Sequence, residues 1–467
     1  MGKIKRFFST SIVYFAGNVL SRLIVFFLLP LYTAKIPPDQ YGIYDLVITV
    51  INLIAPILFV QIWDGMFRAS FDYADDGDKY KVINNAYVVC LAGIIAYTAV
   101  FTIMQLVIPI EHAAYIFVYG LAFSLLYMSG YICRLFLDNK LYVISGLVNT
   151  FLAAIINIIL IVIFAWDVKS LYLSSAIGMI AQIVIIEFKF KTLHHFRFKD
   201  VDRSEIVKMI RFSVPLCFAA VSYWMLTGFT KLITTNILGA AENGLLAVAN
   251  RFSSMVVLVI TVFQYAWNEL AYLMANDEDR TAAYNTCVDL LLKFGMLGGA
   301  GICILIKILF PYLIDEQYAL AIAIIPATII GSMMNSVASF IGTLFMTERK
   351  TNNIMYSTIF AALINVGLGW FCTKTFGLHG ATIVLMISFV FLASVRLIQS
   401  KKQLNVRYSF GSVVWLTAVL AAAIVEYYTA EHILVDIGAI LVIVGIFLLS
   451  VRKYLAALFK GLAGGEN

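Results

Sequence analysis

Arg22 stands in the middle of an apolar run, FAGNVLSRLIVFFLLP, with Ser11, Tyr14 and Asn18 before it at successive spacings of three, four and four. On a helix these four side chains form one polar stripe. If the run crosses a bilayer, a charge at its centre costs at least about 2.5–3.5 kcal/mol, so Arg22 must face a partner or a watery cavity. Arginine keeps its charge, and its planar fork matches phosphate. Arg22 and Asn18 are therefore candidates for an anion site, against the alternative of a structural ion pair with Asp45 or Asp64. Lys231 lies in a second polar run with Thr227, Thr230 and Thr234, and Arg251 heads a stripe of Ser254, Thr261, Tyr265 and Asn268. Each cation can face the same kind of cavity or extend to headgroups. Ser332, Ser336, Ser339 and Thr343 repeat at four, three and four, a spacing that places hydroxyls where they can contact sugars or tie two helices together. The tie is the favoured reading of the two.

The remaining charges sort by spacing. Asp289 and Lys293, and Asp64 and Arg68, are each four apart, so each pair is expected to close a salt bridge. Lys307 is expected to extend towards headgroups. Asp45 is a candidate partner for Arg22 or Arg251. Glu269 is a candidate gate or proton-linked residue, with solvation at the interface favoured. His194 and His195 have no further ligands at metal spacing, which points to a solvated loop and no metal. The cysteines at 90, 133, 217, 287, 303 and 372 all fall in apolar segments without CxxC spacing and read as small core residues. No GxxxxGK[ST] phosphate loop is present, so direct ATP use is not expected.

The elements that carry these residues follow from composition. Of 467 residues, 62% are hydrophobic and 13% charged, whereas a soluble domain has about 45–50% apolar and about 25% charged residues. Apolar runs of roughly 18 residues or more, the length that crosses a bilayer core as a helix, recur along the whole chain. The expected spans are 10–36, 40–66, 82–108, 112–133, 142–166, 170–190, 212–238, 244–274, 284–310, 318–346, 354–374, 379–398, 409–429 and 432–451. Lys3, Lys5 and Arg6 precede a first span too long for a cleaved signal. With the N-terminus inside, the outer joins hold only Lys35, Lys169 and Lys374. Arg22, Lys231, Arg251, Lys293 and Lys307 lie within spans, and every other Lys or Arg falls on an inner segment. That asymmetry predicts an all-α integral membrane protein of about 14 spans with both ends cytoplasmic. Its net charge of +6 reflects this placement and not a nucleic-acid partner. Pro30, Pro56 and Pro326 fall inside spans and are expected to kink them.

The longest join, KTLHHFRFKDVDRSEIVKMIR, divides the chain into an N-terminal lobe at 1–190, a basic cytoplasmic linker at 191–211, a C-terminal lobe at 212–400 and a final helix pair with tail at 401–467. The halves echo each other weakly: a basic residue (Arg22, Lys231), an apolar stretch, an acidic turn (Asp39, Glu242), then Gly42 or Gly244. Repeated six-helix halves are a recurrent transporter plan, with the site near the midplane.

The opening LSRLIVFFLLPLYTAKIPPDQYGIYDLV resembles the polysaccharide-exporter branch of the multidrug/oligosaccharidyl-lipid/polysaccharide (MOP) superfamily, which includes the Wzx-type O-antigen flippases. The segment FSVPLCFAAVSYWMLTGFTKLITTNILGAAENGLLAVANRF resembles that branch's seventh and eighth helices. The branch often carries an acid before the seventh-helix cation, where this chain has Thr230. The resemblance implies two six-helix lobes like those of MATE transporters and lipid II flippases. It also implies that Arg22, Lys231 and Arg251 surround one cavity, receiving a polyprenyl-pyrophosphate-linked oligosaccharide for O-antigen, capsule or related polymer synthesis. The implied carrier is a multi-pass protein of the bacterial inner membrane, in contact with membrane lipid and with the pathway's glycosyltransferases and polymerase. Outer joins of only a few residues leave no room for a catalytic loop, so no enzyme is expected, and oligomeric state stays open with monomer the default. The carrier has no cofactor, and the coupling ion, proton or sodium, stays open. The alternatives are a lipid II flippase and a drug/cation antiporter. The antiporter would want a midplane acid where helix 1 has Arg22.

Overall fold

In lipid every backbone N–H and C=O must be satisfied internally, and long apolar runs do this as helices. The computed structural model of the chain describes residues 17, 19–73, 76–273, 280–348 and 350–463. Among these residues the regular structure is helical, with no strand, and forms fourteen passes. Span 1 covers residues 19–35, and span 2 covers Pro38–Leu58 and Ile62–Ser70. Spans 3 to 6 are Asp76–Val107, Ala113–Leu135, Asn139–Ile158 extended by the π-turn Ile159–Ile163, and Lys169–Phe190. Spans 7 to 9 are Arg203–Leu238, Ala240–Leu273 and Arg280–Leu313. Span 10 begins as the 3-10 segment Glu316–Ile324 and continues as Ile325–Thr347. Spans 11 and 12 together form Thr351–Gln403, span 13 is Phe410–Thr429 and span 14 is Ile433–Ala463. Large apolar side chains such as Leu434, Leu441 and Leu449 stand exposed along span 14, as a lipid-facing helix requires. The expected fourteen-helix membrane fold is the one observed.

The prolines act differently from expectation. Span 2 is broken, not merely bent, at Phe59–Gln61, where Val60 and Gln61 take left-handed φ of 53° and 47°. Pro56 removes one donor just upstream, and the Gln61 N–H reaches back to the Pro56 carbonyl at 2.8 Å. Pro30 and Pro326 sit in the first turns of Leu29–Lys35 and Ile325–Thr347, where a missing N–H costs nothing. Pro326 starts its helix without kinking it, whereas Pro30 follows an interruption of span 1 at Leu28.

Spans 11 and 12 meet at Gly377, whose φ of 61° and ψ of −144° suit glycine alone. The return is so tight that a Cβ on Gly380 would lie 2.0 Å from the Cys372 carbonyl oxygen. Gly380→Ala should therefore destabilise the fold by at least about 2 kcal/mol, read as a lower melting temperature in detergent. Gly298→Ala, where a Cβ meets nothing within 4 Å, should leave it unchanged.

The chain forms two compact units, Met1–Gly228 and Phe229–Asn467, with the boundary inside span 7, downstream of the 191–211 linker. The first unit packs around Phe59, Ile62, Met66, Ile83 and Ile132. Its linker is solvated, as expected, with most of residues 191–200 exposed, and it is also pinned. The Tyr80 ring stacks on His195 at 4.3 Å, Tyr80 donates to the Phe190 carbonyl, and Thr192, 1% exposed, bonds Tyr87 and Glu187. Aromatic and hydroxyl groups at the start of span 3 give the linker partners that its own composition did not reveal. In the second unit the Trp267 ring stacks on Phe340 at 4.5 Å and its N–H donates to the Phe340 carbonyl.

Candidate functional site

Spans 1, 4, 5 and 6 of the first unit enclose a cavity of about 370 Å³. Its lining includes Ser21, Tyr127, Arg134, Tyr142, Asn149 and Gln182, with one arginine and no carboxylate among the described residues. Arg134 occupies the last turn of span 4, where a cation meets the negative end of the helix dipole. Its guanidinium lies 5.0 Å from the Tyr131 ring centroid and 5.3 Å from that of Tyr142, so two aromatic faces orient it. The Tyr131 hydroxyl donates to Asp64 Oδ1 at 2.7 Å, and Gln61 Nε2 donates to Asp64 Oδ2 at 2.9 Å. The break in span 2 therefore serves the site: left-handed Gln61 turns its amide onto the acid that holds Tyr131. Deeper in, Asn149 Nδ2 donates to Gln182 Oε1 at 2.9 Å, and Gln182 is 5% exposed. Ser21 Oγ accepts from Thr150 Oγ1 at 3.1 Å, tying span 1 to span 5 beside the cavity.

The residues singled out from sequence fall into several groups. Arg22 is exposed on span 1, next to the cavity-lining Ser21, and makes no ion pair or hydrogen bond among the described residues. Asn18 and the Glu269 side chain lie outside the described residues. Lys231 and Arg251 are half-buried in the second unit. The polar run around Lys231 turns inward there: buried Thr230 and Asn365 of span 11 bond each other, with Asn365 Nδ2 donating to Thr230 Oγ1 at 3.1 Å. Asp45 is half-buried, and its backbone carbonyl accepts from Thr49 Oγ1 at 2.7 Å.

The hydroxyl stripe of span 10 divides between two environments. Buried Ser336 donates to the Ser332 carbonyl, and buried Thr343 accepts from Gln264 of span 8 at 3.2 Å, which is a helix tie. Ser339 is exposed.

Two charge assignments need correcting and one stands. Asp64 does not bridge to Arg68. Its oxygens face Gln61 and Tyr131, while Arg68 pairs with Asp72 at 2.9 Å on the exposed face. The break at Phe59–Gln61 turns Asp64 inward, and no count of residues along an unbroken helix anticipates that. Lys307 does not extend to headgroups either. It pairs at 2.7 Å with Asp436 of span 14, which is 5% exposed, because span 14 brings an acid to it from 129 residues away. Asp289 and Lys293 pair at 2.6 Å, as their spacing predicts.

Sequence reasoning missed Arg134, Asn149 and Gln182. Arg134 counted only as one more inner-end positive charge. The available signal was the amide pair: Asn149 and Gln182 are amide residues within largely apolar stretches of spans 5 and 6.

The fold is shared with solved membrane transporters. The chain is similar to MurJ, a lipid II flippase solved in an inward closed conformation, with a TM-score of 0.67 at 14% identity, covering 96% of this chain and 100% of that one. It is similar also to an inward-facing multidrug resistance MATE family transporter of the MOP superfamily, with a TM-score of 0.66 at 14% identity, 88% of this chain and 100% of that one. A MOP superfamily transporter from Pyrococcus furiosus, described as having a binding pocket of reverse polarity, aligns with a TM-score of 0.58 at 14% identity, 88% of this chain and 95% of that one. No curated protein sequence matches the chain. The chain is thus a multi-pass membrane protein with the transporter fold of the MOP superfamily. A family model described as polysaccharide biosynthesis protein matches residues 8–267, more than half of the length, and the chain belongs to that family.

Proposed function

We propose that the protein is a flippase that moves a polyprenyl-pyrophosphate-linked oligosaccharide from the inner to the outer leaflet of a bacterial cytoplasmic membrane, supplying synthesis of a cell-surface polysaccharide. The observation that carries this reading is the sign of the first-unit cavity, which among the described residues is lined by an arginine and by no carboxylate. An exporter of organic cations would want an acid there, whereas an anionic headgroup wants the arginine. Membership in a polysaccharide biosynthesis family and likeness to a lipid II flippase support the same class of cargo.

The distribution of positive residues places both chain ends in the cytoplasm. The cavity then lies at the cytoplasmic end of the first unit, where spans 1 and 5 begin and spans 4 and 6 finish, which is the side that receives a precursor made inside the cell. Arg22, Lys231 and Arg251 are proposed as further cationic contacts along the path, used in alternating access while the lipid tail remains in the bilayer.

The test is leaflet translocation of a fluorescent polyprenyl-pyrophosphate oligosaccharide in proteoliposomes. Wild type should flip it, and Arg22→Ala should lower the rate by about tenfold or more, the loss expected for one charge-assisted phosphate contact. Proteoliposomes that transport organic cations and leave the lipid-linked sugar in place would move the assignment to a cation antiporter. Normal flipping by Arg22→Ala would remove Arg22 from the path and leave the class standing.

A further inference from the structure

The cavity of the first unit has the chemistry of a site for a sugar joined to a phosphate. At its mouth Arg134 offers a planar donor fork, aligned by the rings of Tyr131 and Tyr142. Phosphate is the anion that such a fork bonds through two parallel N–H groups. The wall carries the rings of Tyr127 and Tyr142, flat apolar faces of the kind that pack against the C–H face of a pyranose. The floor carries the amide pair. Gln182 accepts from Asn149 through its carbonyl, and among the described residues its own NH₂ group has no acceptor, although the residue is 95% removed from solvent. The NH₂ group opens onto the cavity it lines, where a ligand or water can meet its two donors. The neighbouring backbone leaves room for one, since a Cβ added at Gly146 would stand 3.7 Å from Gln182 Nε2.

Depth and size agree with this reading. Asn149 lies ten residues into span 5 and Gln182 eight residues before the end of span 6, which places the floor roughly 12–15 Å from the mouth at about 1.5 Å per residue. The volume of about 370 Å³ falls at the small end of ligand sites. It suits one or two sugar rings with a phosphate.

We propose that this cavity binds the phosphate-proximal sugar of the lipid-linked glycan, with Arg134 holding phosphate oxygens and Asn149 and Gln182 bonding the sugar hydroxyls. The proposal rests on the flippase reading and makes it more specific: the first sugar is selected inside the first unit, and the distal sugars are not read there.

Binding of two probes to the purified full chain in nanodiscs tests it. The first probe is a polyprenyl-pyrophosphoryl monosaccharide, and the second is the same polyprenyl pyrophosphate without sugar. Arg134→Gln should weaken both by tenfold or more, with Arg134→Lys between it and wild type. Asn149→Ala should weaken only the sugar-bearing probe, by about fivefold, which a merely structural role for the amide pair would not produce. Gly146→Leu fills the cavity without removing any polar group and should abolish the preference for the sugar-bearing probe. It keeps the question answerable if Arg134→Gln does not fold, with intrinsic-fluorescence melting as the folding check. If folded Arg134→Gln and Gly146→Leu bind both probes like wild type, the inference is overturned while the flippase reading stands. If phosphatidylglycerol displaces the sugar-bearing probe at equal concentration, the site serves any anionic headgroup and the inference is likewise overturned. If wild type binds neither probe and flips no lipid-linked sugar, the functional reading falls and takes the inference with it.

Discussion

Lys307→Met should destabilise the protein by about 3–5 kcal/mol, the cost of removing one partner from a buried ion pair. Lys307 Nζ lies 2.7 Å from Asp436 Oδ1 and 2.8 Å from the Ala430 carbonyl, with the Tyr427 ring centroid at 5.9 Å. Asp436 is 5% exposed, and the Glu426 carboxyl group lies against it. One ammonium thus joins span 9 to the turn between spans 13 and 14. Without it two carboxyl groups face each other in a poorly hydrated place, and the carbonyl of Ala430 loses a charged donor. Thermal melting in detergent measures the loss. The double variant Lys307→Met with Asp436→Leu should recover most of it, because replacing both charges by apolar groups removes the desolvation cost together with the attraction. If the double variant is as unstable as the single one, the pair is not the source of the effect.

Arg396→Met should cost a similar amount for a different reason. This arginine of span 12 is 5% exposed and donates to four acceptors: Ser357 Oγ at 3.0 Å, the Ala338 carbonyl at 2.7 Å, the Ile354 carbonyl at 3.3 Å and Thr358 Oγ1 at 2.9 Å. It draws spans 10, 11 and 12 together at one point. Hydrogen bonds to a charged group contribute about 1.5–3 kcal/mol each at most, and they are not additive. Loss of the group should therefore lower stability by about 3–5 kcal/mol, again read by melting in detergent. Lysine should not rescue it. An ammonium on a flexible stem cannot meet four acceptors spread around a planar fork. Recovery of wild-type melting by Arg396→Lys would show that charge alone, and not the geometry of the fork, holds the three helices.

Neither centre was legible as such in the sequence. Arg396 counted as one of the positive residues at an inner end, and Lys307 as a cation near enough to a helix end to reach headgroups. Both are integrated instead, because a long side chain takes whichever acceptors the packing brings to it. Asp64 teaches the same lesson from the opposite side. Four-residue spacing to Arg68 predicts a bridge only on an unbroken helix, and Val60 and Gln61 break that helix just before it. The spacing argument succeeded for Asp289 and Lys293, which lie on a continuous helix. The run-length argument held for the number of spans as well.

What the amino-acid sequence determined by itself is the class of molecule. Apolar runs of bilayer length can satisfy their backbones in lipid only as helices, so composition and run length sufficed for a fourteen-span protein. The segments around Arg22 and Lys231 sufficed for the resemblance that the family match then met. Only the tertiary structure decided which polar side chains share a space. Arg134, Asn149 and Gln182 lie on three different helices and carry no common spacing, yet they line one cavity. Thr230, in a run that suggested a binding stripe, is turned inward to Asn365. The physical reason is that a helix face is periodic and can be read from one segment, whereas a cavity is made by neighbours distant in the chain, whose rotation about their own axes is set by packing.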